Sequence, residues 1–336
     1  MAKTVKRKSV KKPITKKEVA KIAKASVKQI AEKKYMNTKT TFGDQNATFV
    51  NPTRPVGNNY ISAVGFSTTV GETDVGAAVT YGGQAVHDLM CLRPFTDSET
   101  DDTLKAFAPD GKFVQPVSCR TQWRINRDFA RIDPTYNNQS NVPEWPVSLA
   151  ENMPVICRMI RCTANIPAGT QTELDPDSDL FIDEYGRATG TAEDNFDERE
   201  MLFYKVNKRR WSVLEDKKFK ILSPVTLQYQ SIFRPDTQTT DRYTPIIACT
   251  NENCEKYIVT NHQLSKRKNG KVYYDKYDNE TINATAGHRR EYVFLHFAYQ
   301  SADAITGPTE TGETPRALGP IGINISCVNY TKFIDV

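Results

Sequence analysis

Beyond residue 37 the chain is a succession of short β-branched and aromatic runs separated by long polar loops, with no good amphipathic helix between them. The strand-like runs are Tyr60–Val70, Cys119–Ile125, Val155–Thr163, Trp211–Leu222, Lys256–Thr260, Tyr292–Tyr299 and Ile321–Phe333. Without crossover helices a βαβ layout is excluded, and no internal repeat of roughly 20–50 residues points to a solenoid or propeller. Hydrophobic residues make up 38% of the chain and aromatics 10%, enough to build a core between two sheets. A two-sheet antiparallel sandwich fits these constraints. The loops 164–200 and 300–320 run far beyond the usual 4–6 residues or so, and long loops tend to carry surface contacts. No apolar run reaches the roughly 18–20 residues of a membrane span. The Lys-rich start has no apolar core and does not read as a secretory signal.

Charge divides the chain in two. The first 34 residues hold 13 Lys+Arg and two acids, a charge of +11; the other 302 hold 32 basic and 38 acidic residues, a charge of −6. The mean of +5 hides this split. In residues 1–36 the first cations, Lys3, Lys6, Arg7, Lys8, Lys11 and Lys12, follow no period, and Pro13 closes that stretch. Thr15 and Glu18 then form a T-x-x-E capping-box pattern. Val19, Ile22, Ala23, Val27 and Ile30 recur at helical spacing among Lys16, Lys17, Lys21, Lys24 and Lys28, with Lys33 and Lys34 following. This predicts a short basic amphipathic helix, marginal until something covers its apolar stripe or neutralises its charge. Such an arm suits sequence-independent binding to a long polyanion, because phosphate neutralisation needs no fixed geometry. Lys6-Arg7-Lys8 with Lys11-Lys12 also has the composition of a nuclear-import signal. Attachment to an anionic membrane is the competing reading, but the arm has no aromatic anchor before Tyr35. Residues 37–59 read as an extended linker, and 60–336 as the folded body.

The body carries no recognisable catalytic constellation. His87, His262, His288 and His296 form no H-x-H or HExxH spacing, and no G-x-S-x-G elbow or glycine-rich phosphate loop occurs. The expectation is therefore a protein that is not an enzyme and has no cofactor. His296, inside an apolar run, reads as a packed residue. Asp175, Asp177 and Asp179 resemble the start of a calcium loop. However, Leu180 stands where the loop needs Gly and Gly186 where it needs Glu, so an acidic surface loop is the expectation. Seven scattered cysteines read as buried free thiols in a reducing compartment.

Two passages resemble a known family. Val155-Ile156-Cys157-Arg158-Met159-Ile160-Arg161, a loop containing Gly169, and Asp179-Leu180-Phe181 resemble the strand–loop–DLF passage of jelly-roll capsid proteins. The run from Val206 through Asn207-Lys208-Arg209-Arg210-Trp211 to Phe219 looks like their N-K-R-aromatic strand entry. The closing runs Tyr292–Tyr299 and Ile323–Ile334 sit where the last two strands of that fold would lie. The family is the capsid proteins of circular single-stranded DNA viruses that encode a replication initiator (CRESS-DNA viruses), with relatives among satellite and small plant RNA viruses. The resemblance implies an eight-stranded antiparallel jelly-roll sandwich with a mostly disordered basic arm. It also implies self-assembly into an icosahedral shell of about 60 copies or a multiple. With arms of +11 each, about 60 copies would place on the order of 660 positive charges against a packaged genome. Localisation to the virion, with passage through the host nucleus by an import receptor, follows as an expectation. Arg209 and Arg210 beside Trp211 form a second candidate contact, a strand-edge ion pair being the alternative. The competing functions are an RNA-virus capsid, a cellular nucleic-acid-binding β-sandwich, and a glycan-binding or hydrolytic sandwich.

Overall fold

The computed structural model describes residues 15–30, 32–43, 63–68, 79–82, 84–92, 113–127, 153–165, 175–191, 200–234, 239–274, 284–300, 320 and 323–335. Helix α1 (Lys16–Ile30) leads into strand β1 (Glu32–Gly43). Strand β2 (Ala63–Ser67) precedes three two-residue strands, β3 (Thr80–Tyr81), β4 (Gln84–Ala85) and β5 (His87–Asp88). Two long strands follow, β6 (Phe113–Arg127) and β7 (Val155–Ala164). Next come α2 (Pro176–Asp179), β8 (Phe181–Ile182), β9 (Ala188–Thr189), α3 (Glu200–Phe203) and β10 (Lys205–Val206). Strands β11 (Trp211–Ile221), β12 (Val225–Arg234), β13 (Thr239–Thr250) and β14 (Glu255–His262) then run in close succession. The chain closes with β15 (Val272–Tyr274), β16 (Ala284–Ala286), β17 (Tyr292–Tyr299) and β18 (Ile323–Asp335).

The protein is all-β, and two antiparallel sheets carry the architecture. The first has the order β1–β18–β6, with β14 and β15 both paired to the far side of β6 and β16 beyond β15. The second has the order β11–β7–β17–β2, with β5 added in parallel at its edge. Taking the eight strands β1, β2, β6, β7, β11, β14, β17 and β18 as first to eighth, the sheets read 1-8-3-6 and 2-7-4-5. Every connection between consecutive members crosses from one sheet to the other except β7 to β11, which are neighbours.

Alternation along the strands explains why the sheets face each other. In β6, from Cys119 onward, Cys119, Thr121, Trp123 and Ile125 are buried while Arg120, Gln122 and Arg124 are exposed, the period of two that one buried face demands; Val114, before an irregularity at Val117, is buried with them. Their buried sides meet Phe66, Met159, Val293, Leu295 and Phe297 of the second sheet in one core. The ring centroids of Phe66 and Trp123 lie 5.1 Å apart, edge to face. The Trp123 indole N–H donates to Thr260 Oγ1 at 2.8 Å, so its burial leaves no orphan donor.

β17 does not alternate: all eight residues of YVFLHFAY are buried. The reason is a third layer. Leu180, Phe181, Val206 and Tyr81 cover the other face of the second sheet and pack on its Ile160, Trp211, Tyr292 and Phe294. A strand buried on both faces reads as a continuous apolar run. Asp177 pins this layer: its Oδ1 accepts the Gly82 N–H at 2.6 Å and the Thr191 hydroxyl. A Cβ at Gly190 would lie 1.9 Å from the Asp177 carbonyl oxygen, so only glycine lets the two backbones approach there.

The linker expected over 37–59 is corrected at its start. Residues through Gly43 belong to β1, which pairs with β18 over twelve positions from Glu32↔Asp335 to Gly43↔Asn324; residues 44–59 lie outside the described residues. The inward positions of β1 include polar residues. Lys34 Nζ lies 3.1 Å from Asp335 Oδ2, and Thr38 Oγ1 donates to the carbonyls of Leu89 and Met90 at 3.2 and 3.0 Å. A strand whose inner face is satisfied by hydrogen bonds shows no apolar alternation. Five of the seven cysteines are buried, whereas Cys249 is exposed and Cys254 half-buried.

Candidate nucleic-acid interface

The basic arm is described from residue 15 onward, and Lys3, Lys6, Arg7, Lys8, Lys11 and Lys12 lie outside the described residues. α1 starts at a closed capping box. The Glu18 carboxylate accepts the Thr15 N–H at 2.9 Å and its hydroxyl at 3.0 Å, while Glu18 N–H donates back to Thr15 Oγ1 at 3.3 Å. These bonds hold the Glu18 carboxyl below the usual carboxylate range. Lys16, Lys17 and Lys21 are exposed, and so are Val19 (54%) and Ile22 (58%) of the apolar stripe. Lys24 and Lys28 lie on the same helix, where only the backbone is described.

The last two arm lysines part company. Lys33 points outward from β1 and is exposed, whereas Lys34 points inward, 5% exposed and paired with Asp335. Lys34 is therefore spent inside the sheet and cannot meet a phosphate in this conformation. The period of two assigns the pair to opposite faces as soon as residues 32–43 are read as a strand.

The second candidate cluster is also divided. Trp211 is fully buried and its indole N–H donates to Asp179 Oδ1 at 2.9 Å, so no base can stack on it. Arg210 Nε stands 3.7 Å from Asp179 Oδ2, the ion pair of the alternative reading. Arg209 is exposed at the rim of a cleft of about 1010 Å³ that Arg158, Tyr204, Lys205 and Lys208 also line. Arg158 is committed within it: Nε and Nη2 donate to the two Asp216 carboxylate oxygens at 2.9 and 2.6 Å, and Nη1 donates to the Tyr204 carbonyl at 2.7 Å.

The three aspartates of the calcium-like loop each have an internal task. Asp175 Oδ2 accepts the Ser178 hydroxyl at 2.6 Å, Asp177 holds Gly82 and Thr191, and Asp179 serves Trp211 and Arg210. Burial raises the Asp179 carboxyl above its ordinary value, and the Trp211 hydrogen bond and Arg210 oppose that shift. Among the described residues, no group of three or more His, Cys, Asp or Glu is placed to hold a metal ion.

The histidines sit in packed surroundings. His296 lies between Tyr81 and Phe181, its Nδ1 2.8 Å from the Tyr81 hydroxyl, and burial pushes its pKa down to about 3. His262 Nδ1 lies 2.9 Å from Glu291 Oε2, which also receives Arg161 Nη1 at 3.0 Å. Burial raises the Glu291 carboxyl, but hydrogen bonds from His262 and Gln263, with the charge of Arg161, prevail and leave it below the usual range.

No family model matches this chain, and no curated protein matches it. Among solved structures, the mavirus penton protein aligns with 90% of this chain and 100% of its own at 10% identity, with a TM-score of 0.15. A likeness at that score carries no argument. No helix among the described residues is long and apolar enough to cross a membrane.

Proposed function

We propose that this chain is a non-catalytic shell protein, an eight-stranded jelly roll that self-assembles around single-stranded nucleic acid held by its basic arm. The observation that carries the reading is the strand order. Two facing sheets in the orders 1-8-3-6 and 2-7-4-5 are what a double Greek key produces, and eight-stranded jelly rolls of this kind build virus shells. The charge split adds independent support: +11 is concentrated in the first 34 residues and −6 in the remainder. The third layer on the second sheet thickens one flank of the sandwich, and the arm joins the opposite sheet at its edge strand.

Each part then has a physical task. The sandwich supplies a rigid block with broad sides for neighbouring copies. The arm neutralises phosphates without reading sequence, so packaging weakens as salt rises. DNA is the assigned genome because the cluster Lys6-Arg7-Lys8 and Lys11-Lys12 fits nuclear import, where such genomes are copied. Fusing residues 1–31 to a reporter checks that assignment, nuclear accumulation being the expected result.

The packaging claim is tested by expressing the full chain, treating the lysate with nuclease and sedimenting the product. Nuclease-protected single-stranded nucleic acid should travel with the protein, and typing it with DNase and RNase identifies what was packaged. Protein that sediments as a small species with no protected nucleic acid overturns the reading.

A further inference from the structure

The outer face of the first sheet carries cations and tyrosines drawn from strands far apart in sequence, and strand register sets them in rows. Asn37, Tyr330, Arg120 and Asn261 form one row across β1, β18, β6 and β14. Lys39, Val328, Gln122 and Val259 form the row on one side. Tyr35, Lys332 and Ser118 form the row on the other. Rows two residues apart along a strand are separated by about 6.8 Å, and strands by about 4.8 Å, so these groups share one continuous surface.

The surface is open and biased in charge. Tyr35 is 55% exposed, Tyr257 69% and Tyr330 41%. Lys33, Lys39 and Arg120 are exposed, and Lys332 Nζ stands 5.2 Å from the centre of the Tyr35 ring. Among the described outward positions of these four strands the one carboxylate is Glu255, at the end of β14, where it pairs with Arg124 and accepts the Tyr257 hydroxyl at 2.8 Å. On the other sheet the third layer covers much of the outer side, and among the described residues Lys218 and Lys220 of its edge strand β11 stay exposed beside it. The arm enters this same sheet at β1, so its cations and those of the face are contiguous.

We propose that this face is a binding wall for single-stranded nucleic acid, with Arg120, Lys39 and Lys332 on phosphates and Tyr330 and Tyr257 stacking on bases. The proposal rests on the function proposed above and adds a body surface to the arm. Cations interleaved with exposed aromatic rings are the composition that holds single strands without sequence preference. Every base has a π-face, and the phosphates need only charge.

The test is fluorescence anisotropy of a labelled oligothymidylate of about 20 nucleotides against the full chain, across a salt series. Lys39→Gln, Arg120→Gln and Lys332→Gln together should reduce the slope of log affinity against log salt by about 2, since each single-strand phosphate contact contributes about 0.7. Tyr330→Ala with Tyr257→Ala should weaken binding at least about 30-fold, each stacked base being worth about 5- to 150-fold, with the slope unchanged, and Tyr330→Phe should restore most of the loss at that position. In the wild-type chain, photo-crosslinking to bromouracil-substituted DNA should label peptides containing Tyr330 or Tyr257, a readout that does not depend on any variant folding. Wild-type affinity and slope in all the variants, with crosslinks confined to residues before Glu32, would overturn the wall and leave the arm intact. No binding by the wild-type chain at low salt would overturn both the wall and the arm.

Discussion

Lys33 and Lys34 are neighbours in β1, yet the strand sends one to the open face and the other into the sandwich, where it meets Asp335. The consequences of removing them are opposite. Lys34→Met leaves the Asp335 carboxylate buried without its ammonium partner, and loss of one member of a buried pair costs about 3–5 kcal/mol. Urea denaturation should therefore show a large fall in stability for Lys34→Met. Lys33→Met should stay within about 0.5 kcal/mol of wild type, as exposed substitutions do. Equal stability of the two variants would contradict the inward pairing. Protonation gives a second residue-scale prediction. His296 and His288 have pKa values pushed down to about 3 and about 4, His296 by burial and His288 by burial aided by Arg290 and Lys266. The unfolded chain takes up these protons near pH 6.5, whereas the folded chain refuses them until pH 4 or below. Stability therefore falls as pH drops from about 6.5 towards 4, at up to about 1.4 kcal/mol per pH unit for each histidine. Denaturation at pH 7 and pH 5 should differ by about 2–4 kcal/mol, pH 7 being the more stable.

At the scale of elements, β1, which starts at Glu32, is the first strand of the sandwich, after helix α1. Deleting residues 1–31 should leave the melting temperature within a few degrees of wild type while nucleic-acid affinity and its salt dependence drop steeply. Deleting 1–43 removes β1 and uncovers the β18 edge along twelve paired positions. That variant should aggregate, because an open strand edge is a template for pairing. Identical solubility of the two deletions would show that β1 does not close the sheet. The same elements explain what the sequence could reveal. β17 was legible because burial on both faces leaves an uninterrupted apolar run, and β6 and β7 because Val, Ile, Cys and Trp dominate their inner faces. β1 was not, because inward Lys34 and Thr38 are satisfied by partners just over 300 and about 50 residues away, which no local window contains. The ribbon β12–β13 also escaped: register shifts at Thr226/Leu227 and Ile232/Phe233 break the period of two, and Pro245 sits inside β13, where a strand pattern disfavours it. The candidate site was legible as charge and illegible as geometry. Arm composition located the cations, but the buried position of Trp211 and the rows of the outer face depend on long-range register.

For the whole molecule, charge and topology make one argument. A body of charge −6 does not attract a polyanion by its mean field, so an arm of +11 and one open cationic face would restrict contact to one side of the sandwich. The third layer covers much of the other sheet's outer side. A block that binds nucleic acid on one side and neighbours on its flanks is suited to closing a shell around the bound strand. Assembly should therefore depend on salt and on the arm together. The most direct measurement is negative-stain electron microscopy of the purified full-length chain, with the ratio of absorbance at 260 and 280 nm read on the same fraction. Closed particles of uniform diameter with a nucleic-acid absorbance ratio are the predicted result. A monomer or small oligomer with a protein absorbance ratio, at both low and moderate salt, would contradict the account.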